Sequence, residues 1–225
     1  MNNITINEFF QNIEEVLRYI FDSIRTENLE RLASAESLII RISINVKNYQ
    51  LYNKGCDEVV KKDLGNRLEK IVINLSRLIN VFNDKIDKHI LFSDKALREL
   101  EYLIGTIKHL SRCLKDVAVT KNDVLTKYII DTANALENAA ANFALEHEER
   151  LTSGICQPQA SAVFIDLLNT LKENSYHFKE MGRQISCLPD WSKPVAPERH
   201  GAKGAHQAGF SPPAGAERAG NERKS

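Results

Sequence analysis

Proline and glycine are distributed very unevenly along the 225 residues of this chain. Five of the six prolines and five of the ten glycines lie beyond residue 188, and Pro158 is the only proline before that point. Because proline removes a helical hydrogen bond and clashes with the preceding turn, a long stretch almost without it favours long helices. We therefore predict an all-α domain over residues 1–188 and a disordered tail over residues 189–225.

Hydrophobic residues recur at helical spacing through the first 188 residues, which predicts six helices. The predicted ranges are 5–23, 27–52, 57–88, 94–119, 123–152 and 160–187. Residues typical of helix N-termini precede or open four of them: Thr5 with Glu8, Thr26, Ser93, and Thr120 with Asp123. Gly65 lies inside the third helix, where it costs about 1 kcal/mol relative to alanine and allows a bend.

The stretch 147–177 predicts a helical hairpin. Gly154 stands where the end of a helix favours a residue with positive φ, and Pro158 suits the first turn of the helix that follows. Four apolar residues then come at i, i+3, i+4 and i+7: Phe164, Leu167, Leu168 and Leu171. This spacing predicts a single buried stripe on the sixth helix.

The first and fourth predicted helices carry apolar stripes whose residues match position by position when the two helices are aligned. The first stripe consists of Phe10, Ile13, Val16, Leu17 and Ile20, and the fourth of Leu97, Leu100, Leu103, Ile104 and Ile107. Together with the similar lengths and order of the helices, this match predicts two three-helix repeats, at about residues 4–90 and 91–188.

Composition and hydropathy argue against several functional classes. Lysine plus arginine and aspartate plus glutamate both number 30, so a nucleic-acid binder that acts through a basic face is not expected. A membrane-spanning helix needs about 18 apolar residues, and the best candidate, around residues 38–40, is interrupted by Arg41 and Lys47. Four cysteines lack the C-x-x-C spacing and are predicted to be reduced thiols in a cytoplasmic chain: Cys56, Cys113, Cys156 and Cys187.

The hairpin also carries a family resemblance. Its pattern, His-x-x-Arg-Leu-x-x-Gly-x-Cys from His147 and then Phe-x-Asp-Leu-Leu from Phe164, resembles the second repeat of PhoU-like domains. It is most similar to the cytoplasmic PhoU-like region that follows the membrane part of bacterial sodium/phosphate cotransporters, and the resemblance covers about residues 5–187. The resemblance implies two three-helix bundles that lie side by side, without the membrane part of the transporter. It also implies a location in the cytoplasm or at the inner face of the membrane.

The resemblance also implies a function. PhoU-like proteins are non-enzymatic regulators of phosphate uptake and phosphate homeostasis that contact a membrane transporter or a signalling protein. A helix-face docking mechanism is therefore expected, with no membrane span and no nucleic acid involved. Two alternatives stay open: a metal-binding helical protein with a degenerate carboxylate site, and a structural or oligomerising remnant of a cotransporter's regulatory domain. Homo-oligomerisation is compatible with each of these functions.

Metal binding depends on carboxylate pairs that the family carries on the second and third helices of each repeat. The eight matching positions are Glu36 and Ile40, Ser76 and Asn80, Ala133 and Glu137, and Lys172 and Tyr176. Only Glu36 and Glu137 are acidic, which is too few to offset the dehydration of a cation. The prediction is therefore no metal and no cofactor, with Lys172 pairing with Glu137 in place of a cation.

Three further clusters of titratable side chains surround His147, Cys156 and His109. His147 lies among Glu146, Glu148 and Glu149 and suggests a metal or anion cluster, although a solvated helix face is the favoured interpretation. Cys156 near Arg150 is predicted to be structural, because no base stands at a fixed spacing from it.

His109, Cys113 and Asp116 share one turn and a half of helix, but no nucleophile signature surrounds them. No glycine-rich phosphate loop is present, and the single tryptophan, Trp191, lies in the predicted tail. We therefore predict that the protein is not an enzyme, since no nucleophile, base and orienting group occur together.

Overall fold

The computed structural model describes residues 6–49 and 58–185, and every regular element within these ranges is an α-helix. The helices are α1 (Ile6–Thr26), α2 (Leu29–Tyr49), α3 (Glu58–Asp87), α4 (Asp94–Thr120), α5 (Asp123–Thr152) and α6 (Pro158–Ile185). The predicted all-α fold with six helices is therefore confirmed. Within the described ranges, no helix is long and apolar enough to cross a membrane.

Several predictions concern residues outside the described ranges. These are the tail at 189–225 with its boundary at 188, the capping residue Thr5, two of the four cysteines, Cys56 and Cys187, and Trp191. The two cysteines within the described ranges, Cys113 and Cys156, are free thiols, as predicted.

The helices pack as two three-helix units that lie side by side. In the first unit α2 packs against α1 and α3, and in the second α5 packs against α4 and α6. Equivalent helices join the units, because α1 packs along α4 and α3 packs along α6. The central layer thus consists of α1, α3, α4 and α6, and α2 and α5 lie outside it. All six helices belong to one compact unit.

The predicted stripes of α1 and α4 lie in the core, and α1 and α4 pack against each other. All the residues of the α1 stripe are buried, and so are those of the α4 stripe except Leu97, which is partly exposed. At this contact the Ser111 hydroxyl donates a hydrogen bond of 3.1 Å to the carbonyl of Phe10, a polar link inside the apolar interface. The periodicity of the sequence thus identified the buried faces of both helices.

The predicted N-cap Ser93 is confirmed, since its hydroxyl accepts a hydrogen bond from the Ala96 amide at 3.2 Å. The predictions for Thr26 and Thr120 are wrong. Each threonine is the last residue of its helix and donates its hydroxyl backwards, to the carbonyls of Asp22 and Asp116 respectively. Threonine can form this bond within the last helical turn, so it does not need to cap the helix that follows.

Asparagine caps both of the following helices. The Asn28 side-chain oxygen accepts from the Arg31 amide at 3.0 Å, and Asn122 accepts from two amides at the start of α5. Between each threonine and asparagine stands a residue in the left-handed region, Glu27 with φ 51° and Lys121 with φ 53°. The same three-residue turn, Thr-x-Asn, therefore closes α1 and α4.

The hairpin between α5 and α6 forms as predicted. Gly154 has a φ of 70°, and the Ile155 amide donates to the Arg150 carbonyl at 2.9 Å while the Gly154 amide donates to Leu151. This pair of bonds is the Schellman motif, which a left-handed glycine completes. Pro158 is the first residue of α6, and the predicted stripe of that helix, residues 164–171, faces the core. The third helix continues through Gly65 to Asp87.

Candidate functional site

The family's carboxylate positions do not form a metal site. Glu36 and Ile40 are exposed on α2, whereas Ala133 is buried in the core of the second unit. Within residues 6–49 and 58–185, no group of three or more His, Cys, Asp or Glu side chains lies close enough together to hold a metal ion. The residues at these positions therefore do not fit the metal centre that the resemblance implies.

Glu137 pairs with a different lysine from the one predicted. Lys179, not Lys172, places its ammonium 2.6 Å from the Glu137 carboxylate and 3.0 Å from the Asn134 amide oxygen. Lys179 is buried, and this ion pair joins α5 to α6. The two lysines are seven residues apart and share one face of α6, so spacing alone could not decide between them.

His147 is buried, which corrects its assignment to a solvated helix face. Only 3% of its surface is exposed, and its ring lies 4.5 Å from that of Phe164. Its Nδ1 is 3.2 Å from the Arg150 guanidinium, which can only donate, so Nδ1 accepts. The proton is therefore on Nε2, which lies 2.8 Å from the Ser161 hydroxyl, and Ser161 in turn donates to the Gln157 carbonyl.

Arg150 connects this histidine to α4. It donates two hydrogen bonds, of 3.0 and 2.9 Å, to the two carboxylate oxygens of Glu99, which is 5% exposed. This bond raises the pKa of Arg150, and the Cys156 thiol lies close enough to add to the effect. The residues that carry the family resemblance in the hairpin thus close the α5–α6 turn and fasten it to α4. The structural role of Cys156 stays a prediction.

We predict that the unfolding free energy decreases as the pH falls below about 6.5, the ordinary histidine pKa. Burial, and secondly the positive charge of Arg150, lower the pKa of His147 in the folded protein. Below pH 6.5 the imidazole of His147 therefore binds a proton in the unfolded chain but not in the folded protein. The stability that is present above pH 6.5 is lost as the pH falls towards the pKa that His147 has in the folded protein. Burial also lowers the pKa of His177, with the same sign. Urea unfolding at pH 7.5 and 5.5 measures the effect.

His147→Gln provides the comparison for this measurement, because glutamine does not titrate in this range. We expect the variant to lose part of the difference between the two pH values and to keep the part that His177 contributes. An equal pH dependence in the variant and the natural protein would contradict the role given to His147.

An apolar groove lies between the second half of α5 and the first half of α6. Its volume is about 500 Å³. The walls are mainly aliphatic, with three alanines and two leucines on α5 and two larger side chains on α6: Ala140, Ala141, Ala144, Leu145, Leu151, Ile165 and Leu168. Ligand sites of this size are commonly apolar clefts with a small number of polar groups. The polar lining residues are His147, Glu148 and Ser161 near the hairpin, and Asn169 with Lys172 at the opposite end.

A second cavity of about 520 Å³ shares Asn169 and Lys172 with the groove. Its other lining residues come from three helices and are polar: Arg77, Glu137, Glu173, Tyr176 and His177. Two of the charges are already paired, Arg77 with Asp166 and Glu137 with Lys179. Lys172 is exposed, and no carboxylate of the described residues lies within ion-pairing distance of its ammonium.

The cluster of His109, Cys113 and Asp116 does not form an activated nucleophile. The His109 Nε2 is 3.6 Å from the Cys113 sulfur and 3.1 Å from the Tyr128 hydroxyl. Burial, and secondly Asp116, raise the pKa of the Cys113 thiol, so it stays protonated at neutral pH. The absence of enzymatic activity remains a prediction.

No protein-family model, curated protein or solved structure matches this chain. The fold and the site define a class: an all-helical protein of two three-helix units with an apolar groove on its outer side.

Proposed function

We propose that the protein is a non-enzymatic, PhoU-like regulator of phosphate uptake or phosphate signalling, which acts in the cytoplasm or at the inner face of the membrane. It docks to a membrane transporter or to a signalling protein. The observation that carries the proposal is the exposure of two adjacent isoleucines, Ile40 and Ile44, on the outer face of α2. The order and packing of the six helices support it, since they agree with the fold that the resemblance implies.

The outer face of α2 supplies the docking surface. Among the six described helices, α2 packs against α1 and α3 alone, and these two helices bury its inner face, which includes Leu32, Ile39 and Ile42. On the opposite face Ile40 and Ile44 are 56% and 58% exposed. They are four residues apart and therefore adjacent on the helix surface. Exposed aliphatic side chains grouped on one helix are typical of a face that receives an amphipathic helix.

A metal-binding function receives less support. Glu137, one of the two remaining acidic positions, is engaged by Lys179, and the other, Glu36, lies exposed on α2. A cation at Glu137 would have to displace a buried ammonium that already neutralises the carboxylate. The docking function is therefore preferred to the metal-binding alternative.

The test is the double substitution Ile40→Asp with Ile44→Asp, made in the full chain. Two carboxylates on the α2 face cannot enter an apolar interface without losing their hydration, so partner binding should be abolished. We expect the natural protein to restore phosphate-dependent regulation of phosphate uptake in cells that lack the gene, and the variant to fail. Co-purification from phosphate-replete and phosphate-starved cells should recover a phosphate transporter or a phosphate-signalling kinase with the natural protein alone.

Val124→Asp is the matched control. Val124 is 80% exposed at the start of α5, outside the α2 face, so the substitution adds the same kind of charge at a different surface. Substitutions at exposed positions usually change stability by about 0.5 kcal/mol or less, so all variants should fold. Phosphate uptake that is unchanged by deletion of the gene would contradict the regulatory function, and equal activity of the α2 variant would contradict the docking face.

A further inference from the structure

We propose that the α5–α6 groove binds a single-chain aliphatic carboxylate, with its chain along the apolar walls and its head group on Lys172. The proposal concerns a small-molecule site on the second unit, whereas the docking face lies on α2 in the first. The two can therefore fail independently.

The shape of the groove favours an extended aliphatic chain. Small side chains on α5, Ala140, Ala141 and Ala144, leave the space that Ile165 and Leu168 border from α6. The lining runs along α5 from Ala140 to Leu151, which at 1.5 Å per residue is roughly 16 Å. A cleft of this length and of about 500 Å³ matches a medium-length chain better than a compact polar metabolite.

The charges at the two ends fix the orientation of such a ligand. The Glu148 carboxylate lies at the hairpin end and would repel an anion, whereas the Lys172 ammonium lies at the other end. Asn169 stands beside Lys172 in the lining and offers an amide donor. An anionic head group is therefore favoured at Lys172 and its apolar chain towards the hairpin.

The lining of the second cavity favours a head group that stays at Lys172, where the two cavities meet. Beyond Lys172 and Asn169, that cavity contains the carboxylates of Glu137 and Glu173. Arg77, which also lines this cavity, forms an ion pair with Asp166. Glu137 forms an ion pair with Lys179. Among the described residues that line the two cavities, the lysine without an ion pair is thus Lys172, at the mouth that the cavities share, where a carboxylate can reach it and stay hydrated.

The experiment measures binding of dodecanoate to the full chain by isothermal titration calorimetry, below the micellar concentration of the fatty acid. We expect one molecule to bind per chain. Lys172→Gln should weaken binding about tenfold, which is the usual loss for one charge-assisted hydrogen bond. Ala141→Phe, at an exposed position of the lining, should fill the groove and abolish binding. Dodecanol lacks the charge, so the natural protein should bind it more weakly than dodecanoate. Lys172→Gln should bind dodecanol as tightly as the natural protein does.

Lys127→Gln is the control for Lys172→Gln, because Lys127 is an exposed lysine of α5 that does not line the groove. Failure of dodecanoate to bind, or binding that Lys172→Gln and Ala141→Phe leave unchanged, would overturn the proposal. A concentration-dependent dimer, detected by sedimentation and dissociated by Ala141→Phe, would also overturn it. The groove would then be the contact surface for a second copy of the chain.

Discussion

Glu99→Ala is expected to lower the unfolding free energy by about 3–5 kcal/mol, the usual loss when one member of a buried ion pair is removed. The Glu99 carboxylate is 5% exposed and accepts both hydrogen bonds from Arg150. Without it, the guanidinium keeps only the acceptor nitrogen of His147 as a strong partner, in a place that water hardly reaches. The thermal midpoint should fall by roughly 6–20 °C for a chain of this size.

Two comparisons make this prediction specific. Glu101→Ala removes the same residue type from the same helix, but Glu101 pairs with Arg25 at the surface, so its effect should be much smaller. The double variant Glu99→Leu with Arg150→Leu removes both charges together and should recover most of the lost stability. Equal losses for Glu99→Ala and Glu101→Ala in urea unfolding would show that the buried pair does not fasten the hairpin to α4.

The sequence predicted those parts of the fold that depend on local geometry. The stripe of α1 and the positive φ of Gly154 follow from helical spacing and from the chemistry of helix ends, which act within a few residues. The helix starts at Asn28 and Asn122 were missed, because threonine and asparagine compete for the same role two residues apart. A repeated Thr-x-Asn turn, visible in the sequence, was the signal that could have distinguished them.

The partners within the site could not be predicted in the same way. Glu99 and Arg150 are far apart in the sequence, and their contact depends on how α4 and α5 pack. Glu99 offered a weak signal, since it lies four residues before Leu103 on the apolar side of its helix, where a carboxylate requires a partner. The choice of Lys179 over Lys172 had no such signal, because both lysines have the same helical phase.

His147 shows how local composition can mislead. Three glutamates surround it in the sequence, and such a run is usually solvated. Side chains one residue apart point about 100° away from each other on a helix, so a buried histidine can stand among exposed glutamates. The turn at Gly154 brings α6 back against this face, and Ser161 and Phe164 then cover the imidazole.

Phe164→Ala is expected to cost about 3–5 kcal/mol of unfolding free energy, the range for truncating a fully buried phenylalanine. The ring has no exposed surface, packs edge to face against Phe92 at 5.9 Å and lies against the imidazole of His147. The substitution therefore leaves a cavity and also removes the cover that keeps His147 dry, so the pKa of His147 should rise towards its ordinary value.

Two measurements test this coupling between packing and titration. Urea unfolding at pH 7.5 should show the full loss for Phe164→Ala and a smaller loss for Phe143→Ala, because Phe143 on α5 is only partly buried. Unfolding at pH 5.5 should then show that Phe164→Ala loses less further stability than the natural protein, since its imidazole can accept a proton in the folded state. A pH dependence as steep as that of the natural protein would mean that the packing of Phe164 does not control the protonation of His147.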